Sequence, residues 1–462
     1  MLLRDIELRI LNEIYERNKA DLAIIYGRRR LGKTTLVLRF LAGKKGAYLY
    51  TPRAEIEEIL SNYVDSLRQQ LGVKIYGKIS TFRDFLDVIY DLSKREKIVI
   101  IIDEFQRLHE ADKSAISVLQ DYWDRILKNT RIKMILVGSL IGMVEKLAID
   151  GDAPLYGRQT ARLKISPLPY YRVRKFWSKL NPEERIIAYG IFGGTPAYID
   201  AYDFKKTLWE NVLSLIVSKN GKLSNEPEEL LASELRVPST YMSILERISL
   251  SERGLPLGKI RVRNVNVIPY LNKLEKMDII ERMYPLNEPK RGAIYAFKDE
   301  FFRFWFRYIQ RNYWLIEMER YDVVMEIIKQ DINKYLSFTL EKILRETLTL
   351  FMGRKLVDTY IPIMRKFGPY WEKDLEVDAL GIGENTIIVG EAKWKEKPVG
   401  IKEISNIFEK AEKLSAKFKK RKYIVIILSK SGFKKEYQEK NLILIDLPTL
   451  EKELDKISIY NN

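Results

Sequence analysis

The first third of the chain alternates short apolar runs with longer amphipathic stretches. The apolar runs predict strands at residues 21–27, 46–51, 98–105 and 133–139. Hydrophobic positions at helical spacing predict helices at residues 33–42, 56–71, 82–94 and 115–128. Apolar strands separated by helices of about ten or more residues are typical of a parallel sheet covered on both faces. The pattern therefore predicts an α/β fold for residues 1–167, followed by a helical segment over residues 168–235.

The middle of the chain changes to short elements. Hydrophobic spacing predicts three helices, at residues 241–251, 257–262 and 267–278, and then a hairpin at residues 279–297. Three short helices followed by a hairpin are typical of a winged helix-turn-helix, which we assign to residues 236–311. Pro269 falls in the first turn of the third helix, where its missing N–H is tolerated.

The last part of the chain returns to an α/β pattern. Residues 312–334 read as a helical linker, and residues 335–462 as a second α/β domain. The predicted strands of this domain lie at residues 373–383, 385–394, 422–429 and 442–447. One helix is predicted at residues 399–418, and because it is rich in Lys and Glu we expect it to present a solvated face. An aromatic run before the linker predicts a packed core rather than a stacking surface for bases; it comprises Phe301, Phe302, Phe304, Trp305, Phe306 and Tyr308.

Composition narrows the chemistry. The chain has no Cys and a single His, His109, which excludes disulfides, thiolate zinc sites and cysteine nucleophiles and argues against histidine metal clusters and Ser-His-Asp triads. Any metal must be held by carboxylates. The N-terminus reads as an amphipathic helix, and no apolar run reaches the roughly 18 residues that a membrane span needs. We therefore expect a cytoplasmic protein, and the Lys/Glu/Arg-rich composition suits a hyperthermophile.

The charge is strongly basic and unevenly spread. The 462 residues carry 80 Lys and Arg against 63 Asp and Glu, a net charge of +17. Residues 236–311 alone carry 15 basic and eight acidic side chains, a net charge of +7. A basic patch of this density favours a polyanionic partner, because neutralising phosphates releases counterions.

Residues 27–34 read GRRRLGKT and fit the P-loop (Walker A) pattern GxxxxGK[ST]. The pattern stands after a predicted strand and before a predicted helix, as a P-loop requires. Gly27 and Gly32 let the loop wrap phosphate oxygens with backbone N–H groups, and Lys33 reaches the β and γ phosphates. Thr34 is expected to ligate Mg²⁺, with Thr35 beside it in the nucleotide site.

Two further strand ends carry candidate nucleotide chemistry. The strand at residues 98–102 delivers Asp103 and Glu104 to its carboxyl end, where open α/β sheets bind ligands. Asp103 is expected to hold Mg²⁺ and Glu104 to orient the attacking water. Ser139, at the end of the strand at residues 133–138, is a candidate sensor of the γ phosphate, although a plain loop serine explains it equally well.

Asp378, Glu391 and Lys393 lie on two consecutive strands near the end of the chain. Residues 391 and 393 share one face of a strand, because strand side chains alternate. If the strands pair as a hairpin, the three side chains converge. Two carboxylates can bind Mg²⁺ or Mn²⁺ for phosphodiester hydrolysis, with Lys393 stabilising the developing charge. An ordinary charged hairpin is the alternative.

The runs YGRRRLGKTTL, IIDEF, LVGS, PLYGR and FGGTPAY occur in the order found in the archaeal ATPase family. The first half of the chain thus resembles this branch of the P-loop NTPases, which is related to AAA+ and STAND proteins. The resemblance implies ATP and Mg²⁺ as cofactors. It also implies that Arg158 is an arginine finger or sensor, and that Gly194 and Pro196 shape a helical lid against the nucleotide. A surface ion pair and a helix-breaking turn are the alternatives.

Residues 335–450 resemble the PD-(D/E)xK nuclease-like fold, the fold of restriction endonucleases, on the pattern of Asp378, Glu391 and Lys393. The resemblance implies that Glu341, on the preceding helix, is a further acidic member of the site. The proline that names the motif is absent here. An active nuclease and a nuclease fold that only binds DNA both remain open.

In the winged-helix interpretation, amide side chains read base edges and basic side chains grip phosphates. The candidate DNA contacts on or near the recognition helix and at the wing tip are Asn264, Asn266, Tyr270, Asn272, Lys273, Lys276, Lys290 and Arg291. A protein-interaction module is the alternative.

Taken together, the sequence predicts an ATPase whose nucleotide state gates DNA binding and metal-dependent cleavage. The main alternative is an ATP-switched DNA-binding or regulatory protein with a silent nuclease fold, and a translocating motor is a third. The sequence leaves the oligomeric state open, a homo-oligomer included.

Overall fold

The computed structural model describes residues 4–94, 96–286, 292–372, 374–434, 437 and 439–457. The chain divides after Ser166 into two compact units. The described residues of the first unit form five strands: β1 Asp21–Tyr26, β2 Gly46–Tyr50, β3 Val99–Asp103, β4 Lys133–Gly138 and β5 Ala161–Lys164. Its helices are α1 Asp5–Glu16, α2 Lys33–Leu41, α3 Ile56–Leu71, α4 Phe82–Ser93, α5 Gln106–Ala111, α6 Ala115–Arg125 and α7 Ile141–Val144.

The strands of the first unit form one parallel sheet in the order β2-β3-β4-β1-β5. Successive residues of β1 feed two cores, with Leu22 and Ile24 on one face and Ala23 and Ile25 on the other. Burial on both faces explains why the strands read as continuous apolar runs. The predicted parallel sheet is confirmed, and its order brings the carboxyl ends of β1, β4 and β3 side by side.

The second unit begins with helices: α8 Tyr170–Val173, α9 Pro182–Phe192, α10 Pro196–Ile199, α11 Leu208–Val212 and α12 Glu226–Glu234. A capping box of Asn181 and Glu184 starts α9, with Pro182 in its first turn. Gly194 follows α9, and a Cβ there would lie 1.8 Å from the carbonyl oxygen of Leu168. Only glycine fits this close approach of two backbone segments.

Residues 236–311, which we call the hairpin module, contain α13 Pro238–Ser249, β6 Leu255–Pro256, α14 Ile268–Lys276, β7 Ile280–Met283, β8 Ile294–Phe297 and α15 Glu300–Phe304. The strands form an antiparallel sheet in the order β6-β8-β7. Pro269 lies in the first turn of α14, as predicted. The helix predicted at residues 257–262 is wrong in extent: only one 3₁₀ turn, Leu257–Lys259, forms, because the backbone leaves helical geometry at Ile260, with φ of −90° and ψ of 83°.

The aromatic run at residues 301–308 is buried, as predicted. Trp305 donates its indole N–H to the Ser224 carbonyl oxygen, 2.5 Å away. The chain continues through α16 Tyr313–Glu317 into α17 Tyr321–Phe351, a helix of 31 residues. Among the described residues every helix is too short or too charged to cross a membrane, α17 included.

The C-terminal module is a mixed sheet between helices. Its elements after α17 are β9 Arg354–Leu356, β10 Thr359–Ile361, β11 Lys366–Glu372, β12 Leu375–Ile382, β13 Thr386–Lys393, α18 Ile401–Lys417, β14 Lys422–Ser429, β15 Leu442–Asp446 and α19 Leu447–Lys456. The main sheet has the order β11-β12-β13-β14-β15, antiparallel up to β13 and parallel beyond it. Helix α17 packs against β12 and β13, and α18 against β13 and β14.

A buried ion-pair network joins α19 to the start of the second unit. The carboxylate of Glu451 accepts hydrogen bonds from Arg174 at 2.9 Å, Arg185 at 2.5 Å and the Tyr170 hydroxyl at 2.5 Å. Its two oxygens are thus shared among three donors. This satisfies a carboxylate that is only 7% exposed.

Candidate functional site

The P-loop lies between β1 and α2. Gly27 has φ of +154°, and a Cβ there would lie 2.2 Å from the Ile165 carbonyl oxygen, so this position requires glycine. Gly32 has φ of +80° and caps α2. The Lys33 ammonium donates to the carbonyl oxygens of Gly27, at 2.7 Å, and Arg28, at 2.9 Å. The lysine is therefore folded back across the loop between β1 and α2.

The two predicted Mg²⁺ ligands of this site meet directly. The Thr34 hydroxyl donates to Asp103 Oδ2 at 2.7 Å, across the gap between α2 and β3. The Tyr48 hydroxyl, from β2, donates to the same oxygen at 2.7 Å. Hydroxyl and carboxylate oxygens are the hard donors that Mg²⁺ takes alongside phosphate oxygens, so the residues fit the ion.

Sequence reasoning missed Tyr48. Burial, together with the charge of Asp103, raises the pKa of its hydroxyl, which therefore remains a donor. Tyr48 lies on β2, which follows α2 in sequence but neighbours β3 in the sheet. The contact between Tyr48 and Asp103 follows from the strand order, which the local sequence does not predict.

Glu104 has φ of +58°, a strained backbone for a residue other than glycine. Its Oε2 accepts hydrogen bonds from Ser139, at 2.8 Å, and from the Gln106 amide, at 2.6 Å. Arg107 lies 3.7 Å from the same oxygen. Ser139 contacts Glu104 because the two residues follow β4 and β3, which are neighbouring strands. The sensor role of Ser139 stays a prediction.

The remaining nucleotide-site predictions lie elsewhere in the two units. Arg158 makes a bidentate ion pair with Asp124 on α6, with nitrogen–oxygen distances of 2.7 to 3.0 Å. Gly194 and Pro196 belong to the second unit, at the close backbone approach and at the start of α10. Thr35 lies exposed in the first turn of α2. The finger and lid roles stay predictions.

The second candidate site lies on the hairpin of β12 and β13, which pair as predicted. Asp378 and Glu391 are 8% and 3% exposed. Asp378 Oδ2 accepts the backbone N–H of Ala392 at 2.8 Å. Arg345, on α17, donates to the Asp378 carbonyl oxygen at 2.9 Å and lies 3.9 Å from Glu341.

Two ammonium groups hold Glu391. Lys393 donates to Oε2 at 2.6 Å, and Lys410 donates to Oε1 at 2.7 Å. Lys410 lies on α18, the helix that the sequence predicted to be a solvated face. That prediction is wrong for Lys410, because α18 packs across β13 and directs this lysine at the sheet.

The carboxylates of this site influence one another. Burial and the charge of Asp378 raise the pKa of Glu341 to about 7. Burial and the charge of Glu391 likewise raise the pKa of Asp378. Burial lowers the pKa of Lys393, but the nearby acids, Glu391 first among them, together outweigh burial and raise it. Glu341 and Asp378 thus take up a proton at higher pH than exposed carboxyl groups do.

Within the described ranges, no three of these acids converge as a ready-made metal cage. Mg²⁺ commonly uses only one or two carboxylates, with water and substrate phosphates completing its shell. Asp378 and Glu391 are hard donors of that kind, so the pair fits a divalent ion once the lysines yield an oxygen.

A cavity of about 390 Å³ adjoins these carboxylates. One side is lined by the hairpin module, at Glu252, Arg253 and Phe297. The other is lined by the C-terminal module, at Glu341 and Asp378. Residues from two distant stretches of sequence therefore enclose the space next to the second site.

Four of the predicted DNA contacts line an open groove of about 700 Å³ beside α14: Asn264, Asn266, Tyr270 and Lys273. Arg236 and Tyr241 line the same groove. Asn272 is engaged instead, accepting a hydrogen bond from the Arg282 guanidinium at 2.9 Å. Lys276 lies exposed at the end of α14. Lys290 and Arg291 lie outside the described residues.

Two family models match the chain. One, described as an ATPase domain predominantly from Archaea, matches residues 2–201. The other, described as archaeal and bacterial proteins of unknown function, matches residues 305–407. The first match contains the P-loop site, and the second contains the four residues Glu341, Asp378, Glu391 and Lys393.

Among curated proteins, the uncharacterized protein MJECL04 of Methanocaldococcus jannaschii is 32% identical over 456 residues, 96% of this chain and 98% of that protein. The uncharacterized ATP-binding protein MJ0423 of the same organism is 54% identical over 39 residues, 8% of this chain and 66% of that protein. Among solved structures, the Walker-type ATPase PABY2304 of Pyrococcus abyssi has a TM-score of 0.50 at 20% identity, covering 66% of this chain and 95% of that chain. This structural likeness concerns the fold.

Proposed function

The chain belongs to the archaeal ATPase family, and on that premise we propose that it binds ATP with Mg²⁺ at its P-loop and hydrolyses it. The observation that carries this proposal is the direct contact of Thr34 with Asp103, at 2.7 Å beside the loop. Bound Mg²⁺ supplies charge neutralisation for the phosphate oxygens. Lys33 turns from the loop carbonyls to the phosphates, as a P-loop lysine does.

Glu104 orients the attacking water in this proposal. Its Oε2 is held by Ser139 and Gln106, and exchanging one of these bonds for a water places the carboxylate in its role. Arg158 acts as a finger after leaving Asp124, and Gly194 and Pro196 shape the lid. Tyr48 keeps Asp103 oriented throughout.

Phosphate release from ATP tests the proposal with the full chain. We expect Lys33→Ala to lower turnover by about 100-fold or more, since it removes a charge that stabilises the transferred phosphoryl group. Lys74→Ala, at an exposed lysine of the same unit, is the matched control. Equal turnover in both variants would refute ATP hydrolysis at this loop.

We further propose that the hairpin module is a winged helix that binds DNA. Its support is the order of α13, the 3₁₀ turn, α14 and the β7–β8 hairpin, together with the net charge of +7. Arg236, Tyr270 and Lys273 border the groove beside α14. DNA affinity should fall steeply with salt, by a slope that Lys273→Ala reduces by about one.

A second candidate function, metal-dependent cleavage of DNA, is favoured by the pairing of Asp378 and Glu391 on one hairpin with Lys393 beside them. A mixed sheet between α17 and α18 supports a nuclease-like fold. The two lysines on Glu391 support the alternative, a silent fold that only binds DNA. We propose the active form, with Glu341 as a further acid and nucleotide state gating cleavage.

Incubating supercoiled and linear DNA with Mg²⁺ or Mn²⁺, with and without ATP, separates these readings. Cleavage that Asp378→Ala abolishes, and that Glu384→Ala at an exposed hairpin position retains, supports the nuclease. Altered cleavage in Lys33→Ala supports gating, whereas equal cleavage with and without nucleotide refutes it. Intact ATP turnover without any cleavage would favour the DNA-binding regulator.

A further inference from the structure

A guanidinium group from the hairpin module reaches the C-terminal carboxylates. Arg253, in the loop between α13 and β6, forms an ion pair with Glu376 of β12. Its Nη2 atom lies 3.8 Å from Glu341 Oε1. Its guanidinium also lies over the Phe338 ring, 5.4 Å from the ring centroid. Three residues of the C-terminal module thus position the Arg253 side chain at the edge of the carboxylate site.

The neighbouring residue fixes the same loop. Glu252 accepts an ion pair from Lys334 at 2.5 Å and from Arg307 at 3.3 Å. Lys334 lies on α17, the helix that also carries Glu341 and Phe338. Two adjacent residues of opposite charge therefore tie one loop to α17 and β12, so the approach of Arg253 is specified by more than one contact.

Among the described cations around these carboxylates, Arg253 differs from Lys393, Lys410 and Arg345 in the part of the chain that carries it. Lys393, Lys410 and Arg345 belong to β13, α18 and α17, the elements that build the site itself. They can reorient but cannot depart without disrupting the C-terminal sheet. Arg253 belongs to the hairpin module, and a shift of one loop removes it.

A cation beside Glu341 opposes a second cation. A divalent ion bound by Asp378 and Glu391, with Glu341 as a further acid, would lie beside the cavity that Asp378, Glu341 and Arg253 line together. Like charges at close range repel, so the Arg253 guanidinium opposes such an ion. While Arg253 bridges Glu376 and Glu341, it supplies the positive charge that these acids attract.

We propose that Arg253 is an autoinhibitory cation, which lowers the affinity of the C-terminal carboxylate site for a divalent metal until the hairpin module moves. The inference rests on the proposed metal-dependent function of that site and names its regulation. It identifies the loop of Glu252 and Arg253 as the point where engagement of the hairpin module is communicated to the carboxylates.

Mn²⁺ binding to the full chain without nucleotide, followed by electron paramagnetic resonance of the free ion, tests this without relying on cleavage. Binding that Asp378→Asn removes is assigned to the C-terminal site. We expect Arg253→Gln to tighten that binding about three- to tenfold, the range of a partly exposed ion-pair network. Arg247→Gln, which removes the same charge from an exposed position of α13, should leave it within twofold.

Two further variants distinguish a bridge from a nearby charge. Arg253→Lys keeps the charge but cannot form the same forked contact, so we expect an intermediate tightening. Glu376→Gln releases Arg253 while removing a negative charge. Tighter Mn²⁺ binding in this variant supports the bridge, whereas weaker or equal binding would overturn it, because simple loss of an acid predicts that result.

The outcomes separate the two proposals. Asp378-dependent binding that is equal in wild type and Arg253→Gln overturns the autoinhibitory role and leaves the metal site standing. No Asp378-dependent binding in any variant overturns both. Tighter binding in Arg253→Gln without cleavage of any DNA supports the cationic lock and refutes the nuclease.

Discussion

The P-loop site and the C-terminal site each contain a buried carboxylate on a strand, Asp103 and Glu391, but different groups hold the two acids. Asp103 accepts hydrogen bonds from the hydroxyls of Thr34 and Tyr48. At the C-terminal site, Glu391 accepts the ammonium groups of Lys393 and Lys410. Neutral donors leave the charge of Asp103 available to an incoming ion, whereas the lysines already neutralise Glu391.

This difference teaches how readiness for a metal can be read from a structure. Replacing a hydroxyl donor exchanges one hydrogen bond for one metal bond. Displacing a lysine instead costs an ion pair and leaves a second charge to be resolvated. The acid of the first site can thus accept an ion without losing an ion pair, whereas the acid of the second site could bind one only after its own lysines rearrange.

The largest expected effect concerns the independence of the two sites. Asp103→Asn should lower ATP turnover by about 100- to 1,000-fold, because it removes a charged ligand at the position of developing charge. Asp378→Asn should leave that turnover within twofold. Steady-state phosphate release measures both, and an equal loss in the two variants would contradict the separation.

Glu391→Gln sharpens the comparison through stability. The substitution leaves Lys393 and Lys410 without their common partner. Because these lysines are 29% and 34% exposed, water recovers part of the loss, and we expect about 2 kcal/mol of destabilisation. Chemical denaturation measures it, with Glu384→Gln, whose side chain is 75% exposed, as the near-neutral control. A change in the free energy of unfolding below about 0.5 kcal/mol would show that the ion pairs of Lys393 and Lys410 with Glu391 do not stabilise the fold.

Tyr48→Phe examines the neutral donors of the first site. Loss of the hydroxyl should weaken Mg²⁺ activation of ATP turnover roughly tenfold, the size typical of groups that orient a metal ligand. Saturating Mg²⁺ should restore most of the rate, because the ligand itself remains. Tyr76→Phe, at a side chain that is 82% exposed, is the control. A loss that Mg²⁺ cannot restore would assign Tyr48 a structural role.

A pH dependence of stability follows from the crowding of acids in the second unit. Burial raises the pKa of Glu346 to about 7, against an opposing effect of Lys342 and of the hydrogen bond from the Tyr170 N–H. The charges of Glu300 and Arg345 also act on it, in opposite directions. Since the folded state keeps this proton and the unfolded state releases it near pH 4.5, stability should fall as pH rises from about 4.5 to about 7.

Glu346→Gln should remove about 2 to 3 kcal/mol of that pH dependence, as measured by denaturation at pH 5 and pH 8. Glu384→Gln serves again as the exposed control. An unchanged slope in Glu346→Gln would show that other groups set the pH dependence of the second unit.

The P-loop was predictable because its eight residues are contiguous in the sequence, with a strand before them and a helix after them. The strands at residues 98–105 and 133–139 were predictable as continuous apolar runs. Their order in the sheet was not, because hydrophobicity does not encode which strands are neighbours. The contacts of Tyr48 with Asp103 and of Ser139 with Glu104 both depend on that order.

The C-terminal site was predictable only in its hairpin. Alternation along β12 and β13 indicated that Asp378, Glu391 and Lys393 share a site, but Lys410 and Arg253 arrive from other elements. The strands β5, β9, β10 and β11 were missed. Exposed alternate positions in β5, and a proline and register shift in β11, remove the apolar continuity on which strand prediction relies.

The Glu451 network has a consequence in time. Arg174 and Glu451 are 277 positions apart in the sequence. At about 5 to 20 residues per second, a ribosome therefore adds Glu451 roughly 15 to 55 s after Arg174. The first unit closes with Ser166 and has all of its strands long before then. A nascent chain can therefore complete the sheet of the first unit while the second unit still lacks α19.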